Sequence, residues 1–275
     1  MPEGPEVKVI GSQLDRILSG KKLENIAIHG GRYEKHGAPE GWDLIAKNIK
    51  STELIIRSIE TKGKLIYWKL SNGWYLLNTL GMSGCWRKQN SKHCDVSFSY
   101  ETDEGDVKRI YFKDQRHFGT LKFVDQDGMA KKLRSIGPDV LTRDFTLEKM
   151  KALFTKNTHW SLPKLLMNQR KISGIGNYLK CEILYAAKLS PHRKLSSLTD
   201  LEIESLYGYC RSIPLASLAK KGVSIRDYVT PDDSEGSFQF SLKVYMKKKD
   251  PVGNKVKKEQ TEDKRTTHWV PEVQK

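Results

Sequence analysis

The chain has 275 residues, room for one large domain or two smaller ones. Its 37% hydrophobic and 29% charged residues exclude a disordered chain, and no apolar run is long enough to span a bilayer. Lys and Arg number 48 against 33 acidic residues, a formal net charge of +15 that points to a polyanionic partner, nucleic acid or an anionic surface.

The opening, MPEGPEVKVIG, carries Glu3 and Glu6 where an export signal would carry basic residues, so an intracellular protein, nuclear or cytoplasmic, is expected. Val7, Ile10, Leu14, Ile17 and Leu18 recur on one helical face. Pro5 falls in the first turn, where proline is tolerated, and Gly20 offers a left-handed stop. Residues 23–124 read as strands. Segments 55–60 and 65–70 flank a turn at Lys62-Gly63, Ser71-Asn72-Gly73 leads into 74–79, and Val96, Phe98 and Tyr100 alternate with polar residues. Asp103-Glu104-Gly105 then turns the chain into 109–112, and Asp125-Gln126-Asp127-Gly128 closes the block. Short strands at short intervals predict an antiparallel sandwich or barrel.

Residues 135–144, with Gly137-Pro138, read as a linker into a helical block. Helices are expected over 146–156, 162–168 and 178–189, the last opened by the tight turn Ser173-Gly174-Ile175-Gly176-Asn177. Thr199-Asp200-Leu201-Glu202 has the form of a capping box and starts a fourth helix. Residues 223–236 are polar and turn-rich, a loop, and 238–275 look strand-like at both ends around a basic stretch, 247–258.

The chemistry starts at Met1-Pro2-Glu3. Methionine before proline is usually trimmed, which leaves a secondary amine with an ordinary pKa of about 8, partly neutral and nucleophilic near neutrality. A helix N-terminus disfavours nearby positive charge and raises the neutral fraction. Attack by such an amine on an aldehyde-like sugar carbon gives an iminium that cannot lose a proton from nitrogen, an electron sink for elimination. Glu3 is a candidate proton donor and acceptor, although a helix N-terminus favours its charged form. Alone, the two residues read better as the mere start of a helix, which both favour. Cys85, Cys94, Cys181 and Cys210 show no CxxC spacing, so buried free thiols are expected rather than a disulfide framework or zinc site.

In order along the chain stand MPEGPEVK, TKGKLIYWKL, TLGMSG, FKDQRHFGTLKF and LMNQRKISGIGNYLKCEILYAAKLSP. Together they resemble the formamidopyrimidine-DNA glycosylase and endonuclease VIII family from the first residues to the last. That resemblance implies an α+β protein. Residues 1–134 would form an N-terminal helix and antiparallel β-sandwich and 135–145 a linker. Residues 146–237 would form a helix-two-turns-helix domain and 238–275 a β-hairpin finger.

It also implies roles. Pro2 matches the catalytic N-terminal proline, Glu3 the catalytic carboxylate, and Lys64 a hairpin lysine on DNA phosphate near the active site. Met82, Arg116 and Phe118 match three side chains that enter the duplex and fill the space of the flipped base. Asn177 matches an asparagine on backbone phosphate. The physical reasons agree: a base must leave the stack to be processed, and Gly174 and Gly176 let backbone amides approach phosphate at a helix start.

The chain departs from the family pattern at its end, where many members have a four-cysteine zinc finger but no cysteine follows Cys210. Residues 263–270 still resemble that finger's last hairpin, as in the zinc-free version of plant, vertebrate and giant-virus relatives. Arg265 then matches the finger arginine on phosphate, and packing of Tyr245, Trp269 and Val270 has to replace the metal. The expectation is a monomeric base-excision-repair glycosylase on damaged double-stranded DNA in a basic cleft, with lyase activity by β,δ-elimination and no cofactor or metal. Two alternatives stand beside it: an abasic-site lyase with weak glycosylase activity, and a non-catalytic damaged-DNA-binding protein.

Overall fold

The computed structural model describes residues 2–223, 231 and 236–275. The loop expected over 223–236 falls largely outside them. The chain divides into two compact units.

The first unit comprises Met1–Pro2, Glu6–Arg134 and Val223–Gly236. Helix α1 (Gly4–Leu18) buries Val7, Ile10, Leu14 and Leu18 almost completely, on the face their spacing predicts. Gly20 beyond it has φ +81, the left-handed stop. Strands β1 (Leu23–Ile28), β2 (Ile56–Lys62), β3 (Leu65–Leu70), β4 (Tyr75–Thr79), β5 (Cys85–Arg87), β6 (Cys94–Glu101), β7 (Val107–Lys113) and β8 (Thr120–Val124) form two antiparallel sheets. Their orders are β1-β6-β7-β5 and β2-β3-β4-β8. The core lies between them: Trp68 of β3 meets Trp86 of β5 and Phe98 of β6 with ring centroids 5.1 Å apart in each case, and Trp86 meets Phe112 of β7 at 5.3 Å. The expected sandwich is present.

Two helices interrupt the expected run of strands, and a third follows it. Helices α2 (Gly31–His36) and α3 (Trp42–Ser51) lie inside it, the second burying Trp42 and Ile45 against the sandwich. Residues 125–128, expected as a closing turn, instead start helix α4 (Gln126–Arg134): the Asp125 carboxylate accepts the Gly128 N–H at 2.8 Å, an N-cap.

The second unit comprises Glu3–Pro5, Ser135–Gly222 and Ser237–Lys275. It holds α5 (Leu147–Lys156), capped by Thr146, α6 (Leu162–Met167), with Pro163 in its first turn, α7 (Asn177–Ala186) and α8 (Asp200–Ala219). The capping box on α8 is complete in both directions between Thr199 and Glu202. Phe238–Ser241 is a 3-10 turn rather than the expected strand, because Ser237 and Phe238 bond back to Lys220 and Gly222. Strands β9 (Lys257–Gln260) and β10 (Thr266–Trp269) form the terminal hairpin. It is held by an apolar cluster of Cys181, Val244, Val256 and Val270, with Tyr245 and Val273 packed against it. Trp269 stacks edge-on with His192 at 5.3 Å.

Candidate active site

Helix α7 is buried on nearly every face, Tyr178 through Leu184. A helix so enclosed keeps its N-terminal N–H groups from water, and something inside the protein has to satisfy them. Glu3 does so. Its Oε2 accepts the N–H of Gly176 at 2.7 Å and of Leu179 at 3.2 Å, and its Oε1 that of Tyr178 at 2.9 Å. The side chain is buried, and Gly174 also accepts the N–H of Gly4 on its carbonyl at 2.8 Å. Three donors and a helix N-terminus stabilise the carboxylate as an anion. Pro2, its neighbour in the chain, is buried as well; Met1 lies outside the described residues.

The turn before α7 is built for this approach. Gly174 has φ +98, which favours glycine, and its N–H is held by Gln169 Oε1 at 3.1 Å. Gly176 has extended backbone and no conformational need for glycine; its need is space, because a Cβ there would overlap the Glu3 carboxyl group.

Asn177 is half-buried and its Nδ2 donates to the carbonyl of Thr266 at 2.9 Å, next to Arg265, which is exposed at the hairpin tip. Tyr245 stands behind Glu3 and Asn177; burial, then the charge of Glu3, push its phenol above its usual range. Glu3, Asn177 and Arg265 thus gather around the N-terminus of α7.

A second set gathers in the first unit. Met82 and Arg116 touch, Arg116 Nη1 standing 3.6 Å from Met82 Sδ. Gly81, at φ +59, lies against the Phe118 backbone so closely that a Cβ would sit 2.6 Å from its carbonyl carbon. Phe118 is 60% exposed, which rules out a core role for its ring. Asp114, buried, shapes this loop: its Oδ1 accepts the Ser83 hydroxyl at 2.6 Å and its Oδ2 the Gly119 N–H at 2.6 Å, while Ser83 Oγ takes the Arg116 N–H at 3.0 Å. Lys64, in the same unit, is half-buried on the two-residue turn between β2 and β3, where Gly63 at φ +57 supplies the left-handed residue of a tight hairpin.

Sequence reasoning missed Asp114 and Ser83, although the run of Asp114 before an exposed Arg and Phe was there to read. It also missed Glu182, whose carboxylate takes the N–H groups of Lys243, Val244 and Tyr245 at 2.8–3.0 Å. The four cysteines are buried free thiols. Burial pushes Cys181 up to about 12 and Cys85 up to about 11, so neither is a nucleophile. Among the described residues, no group of three or more His, Cys, Asp or Glu is placed to hold a metal ion.

A buried carboxylate on a helix-two-turns-helix turn in one unit, and a sandwich that exposes an Arg-Phe loop in the other, are the features of a DNA-repair type of enzyme, and comparison with known proteins agrees. Residues 1–121 match the formamidopyrimidine-DNA glycosylase N-terminal domain, 136–229 its H2TH domain and 229–275 its C-terminal domain. Formamidopyrimidine-DNA glycosylase of Listeria monocytogenes is 30% identical over the whole of both chains, and that of Carboxydothermus hydrogenoformans 31%. That of Mycoplasma genitalium is 31% identical over 91% of this chain and 87% of its own. A Lactococcus lactis Fpg mutant in complex with a Fapy-dG containing DNA superposes with a TM-score of 0.87 at 25% identity, covering all of both chains. The MutM (Fpg) protein from Thermus thermophilus superposes at 0.85 and 26%, over 99% of this chain and 98% of its own. The chain belongs to the formamidopyrimidine-DNA glycosylase family. Its relatives carry the bacterial name, which fixes the family and not the zinc-free, endonuclease VIII-like subtype.

Proposed function

We propose that this enzyme excises oxidised bases from double-stranded DNA and then cleaves the strand, with the α-amine of Pro2, freed by removal of Met1, as its nucleophile. The observation that carries the reading is the Glu3 carboxylate, buried and held by three backbone N–H groups directly beside Pro2 in the chain.

The amine attacks C1′ of the damaged nucleotide, the bond from C1′ to the base breaks, and an iminium forms on the sugar. Loss of the C2′ proton lets the electron pair expel the 3′ phosphate, and a second elimination expels the 5′ phosphate. Glu3, an anion in its resting setting, takes the amine proton released as the bond to C1′ forms. It hands that proton to O4′ as the C1′–O4′ bond breaks, while water protonates the departing base; it acts as an acid only after it has acted as a base. Such a held carboxylate also stabilises the iminium charge.

The remaining residues position DNA. Met82, Arg116 and Phe118 enter the stack where the damaged base has left, an apolar, aromatic and guanidinium plug that offsets lost stacking. Lys64 and Arg265 hold phosphates. Asn177, set in place by its Nδ2 on the Thr266 carbonyl, serves a backbone phosphate. The finger over 238–275 works without zinc, its metal replaced by the apolar cluster around Val270. The protein acts as a monomer.

Borohydride reduction on abasic duplex DNA tests the reading. Processed protein should be trapped covalently through Pro2, and a form that retains Met1 should not. A gel assay with one damaged-base duplex and one abasic duplex separates this enzyme from a lyase with weak glycosylase activity and from a protein that only binds. Mapping of the adduct to an internal lysine would overturn the assignment.

A further inference from the structure

Three residues beyond Asn177, helix α7 carries a lysine with no access to water. The Lys180 side chain is 0% exposed and its Nζ stands 2.6 Å from Asp263 Oδ2, a carboxylate 3% exposed. Asp263 belongs to the turn that ends on Arg265. Its Oδ1 accepts the Thr261 hydroxyl at 2.5 Å, and Thr261 Oγ in turn meets the Thr267 hydroxyl at 2.6 Å. The turn closes with Thr261 N–H on the Arg265 carbonyl at 3.1 Å and Lys264 N–H on the Thr261 carbonyl at 2.8 Å, Lys264 taking the left-handed φ of +58. The floor of the turn is therefore tied to α7 by a buried ion pair, beside the exposed Asn177–Thr266 hydrogen bond and the contacts of Glu262 with Ser161, Lys164 and Lys194, while its exposed tip presents Arg265.

A buried ion pair is a poor source of stability, since desolvation cancels most of its attraction and apolar side chains of equal volume often do as well. Its strength is geometric: a buried ammonium must reach its carboxylate, so the two backbones take one relative position. The same helix holds Glu3 on the N–H groups at its N-terminus. Helix α7 is thus a rigid ruler, with the catalytic carboxylate at one mark and the Arg265 turn at another.

We propose that Lys180 and Asp263 are positioning residues, a buried ion pair that sets the Arg265 turn relative to Glu3 through helix α7. The proposal rests on the reading of Arg265 as a phosphate contact at the lesion. It explains how a turn without a metal keeps its aim. The apolar cluster around Val270 holds the base of the hairpin, and the ion pair holds its tip.

Replacing one partner would strand a buried charge and threaten folding, so the decisive variant replaces both, Lys180→Met with Asp263→Leu. It should melt near the parent temperature and bind undamaged duplex as the parent does. Its single-turnover excision rate at saturating enzyme should fall about tenfold or more, because small misplacement at a reacting centre is costly. Adding Arg265→Ala to the pair variant should cause no further loss, since both changes act through one guanidinium. Lys180→Arg, which keeps the charge, should retain most of the rate. A parental rate in the pair variant, or losses that multiply with Arg265→Ala, overturns the anchor while leaving the function intact. If Arg265→Ala alone is silent, the phosphate role of Arg265 falls, and the anchor falls with it.

Discussion

Glu3 fills the space in which a side chain at residue 176 would have to stand, and its carboxylate takes the Gly176 N–H in the same place. The glycine is required by the carboxylate and not by its own backbone. Gly176→Ala should therefore displace Glu3 and reduce excision about a hundredfold, with a smaller effect on undamaged-DNA binding.

Glu3→Gln sharpens the point. Its carbonyl can serve the paired donors of Gly176 and Leu179, which leaves the new NH2 facing the Tyr178 N–H. That mismatch costs about 1–3 kcal/mol of stability. Base excision should drop by about 10²-fold or more, and cleavage of a preformed abasic site should drop much less. Single-turnover rates on the two substrates check this; equal losses would mean that the residue only supports folding or binding.

The residues that the sequence made legible were those with local signals. Helix α1 is read from apolar spacing, the α8 cap from Thr199 and Glu202, and the sandwich from alternating strands and Gly turns. Helix α4 was not, because Asp125 before Gly128 signals a turn and a helix N-cap alike, and only the following residues decide. Helices α2 and α3 are short and lie between strands, where their apolar residues merge into the strand pattern. Lys180, Asp263 and Glu182 left no trace, since a buried lysine pairs with a carboxylate 83 residues away and no spacing rule reaches that far.

Gly81 and Phe118 yield a further prediction. Residue 81 combines φ +59 with a Cβ position 2.6 Å from the Phe118 backbone, so Gly81→Ala strains its own turn and pushes the Phe118 loop outward. Excision from duplex should fall about tenfold or more. Cleavage of single-stranded abasic DNA, which has no stack to fill, should be nearly spared. Equal losses on both substrates would show that the loop supports the active site generally rather than the open stack.

The finger should be indifferent to chelators. Val244, Val256 and Val270 are buried at 0–5% exposure together with Cys181, an apolar cluster in which one thiol stands among valines. Extended dialysis against a strong chelator should leave melting temperature and excision rate unchanged, and elemental analysis should find no stoichiometric zinc. Val270→Ala should destabilise the second unit by about 0.5–3 kcal/mol through lost packing. Stoichiometric zinc in purified protein would falsify the zinc-free finger.

The finger should instead respond to acid through His268. This residue on β10 is buried, its N–H donates to Cys181 Sγ at 3.3 Å, and its ring lies 5.1 Å from that of Tyr245. Burial, then the charges of Lys258 and Lys180, lower it from 6.5 to about 4. The folded protein therefore keeps the ring neutral where the unfolded chain has already taken up a proton. Between pH 6.5 and about 4 the unfolded state binds more protons, so stability falls as pH falls through that window and levels off below it. Glu202 and Glu262 titrate lower. Hydrogen bonds from Arg193 and from Lys164 respectively hold each at about 2, so their contributions are lost between 4.5 and 2. The two windows scarcely overlap, which lets the histidine be read separately. Melting followed by tryptophan fluorescence, with Trp269 next in the strand, should show a falling temperature from pH 7 to pH 5. His268→Gln, which cannot take up a proton, should flatten that limb and leave the carboxylate limb below pH 4.5 in place. An unchanged slope between pH 7 and 5 in the variant would assign the acid sensitivity to another group and leave His268 a packing residue only.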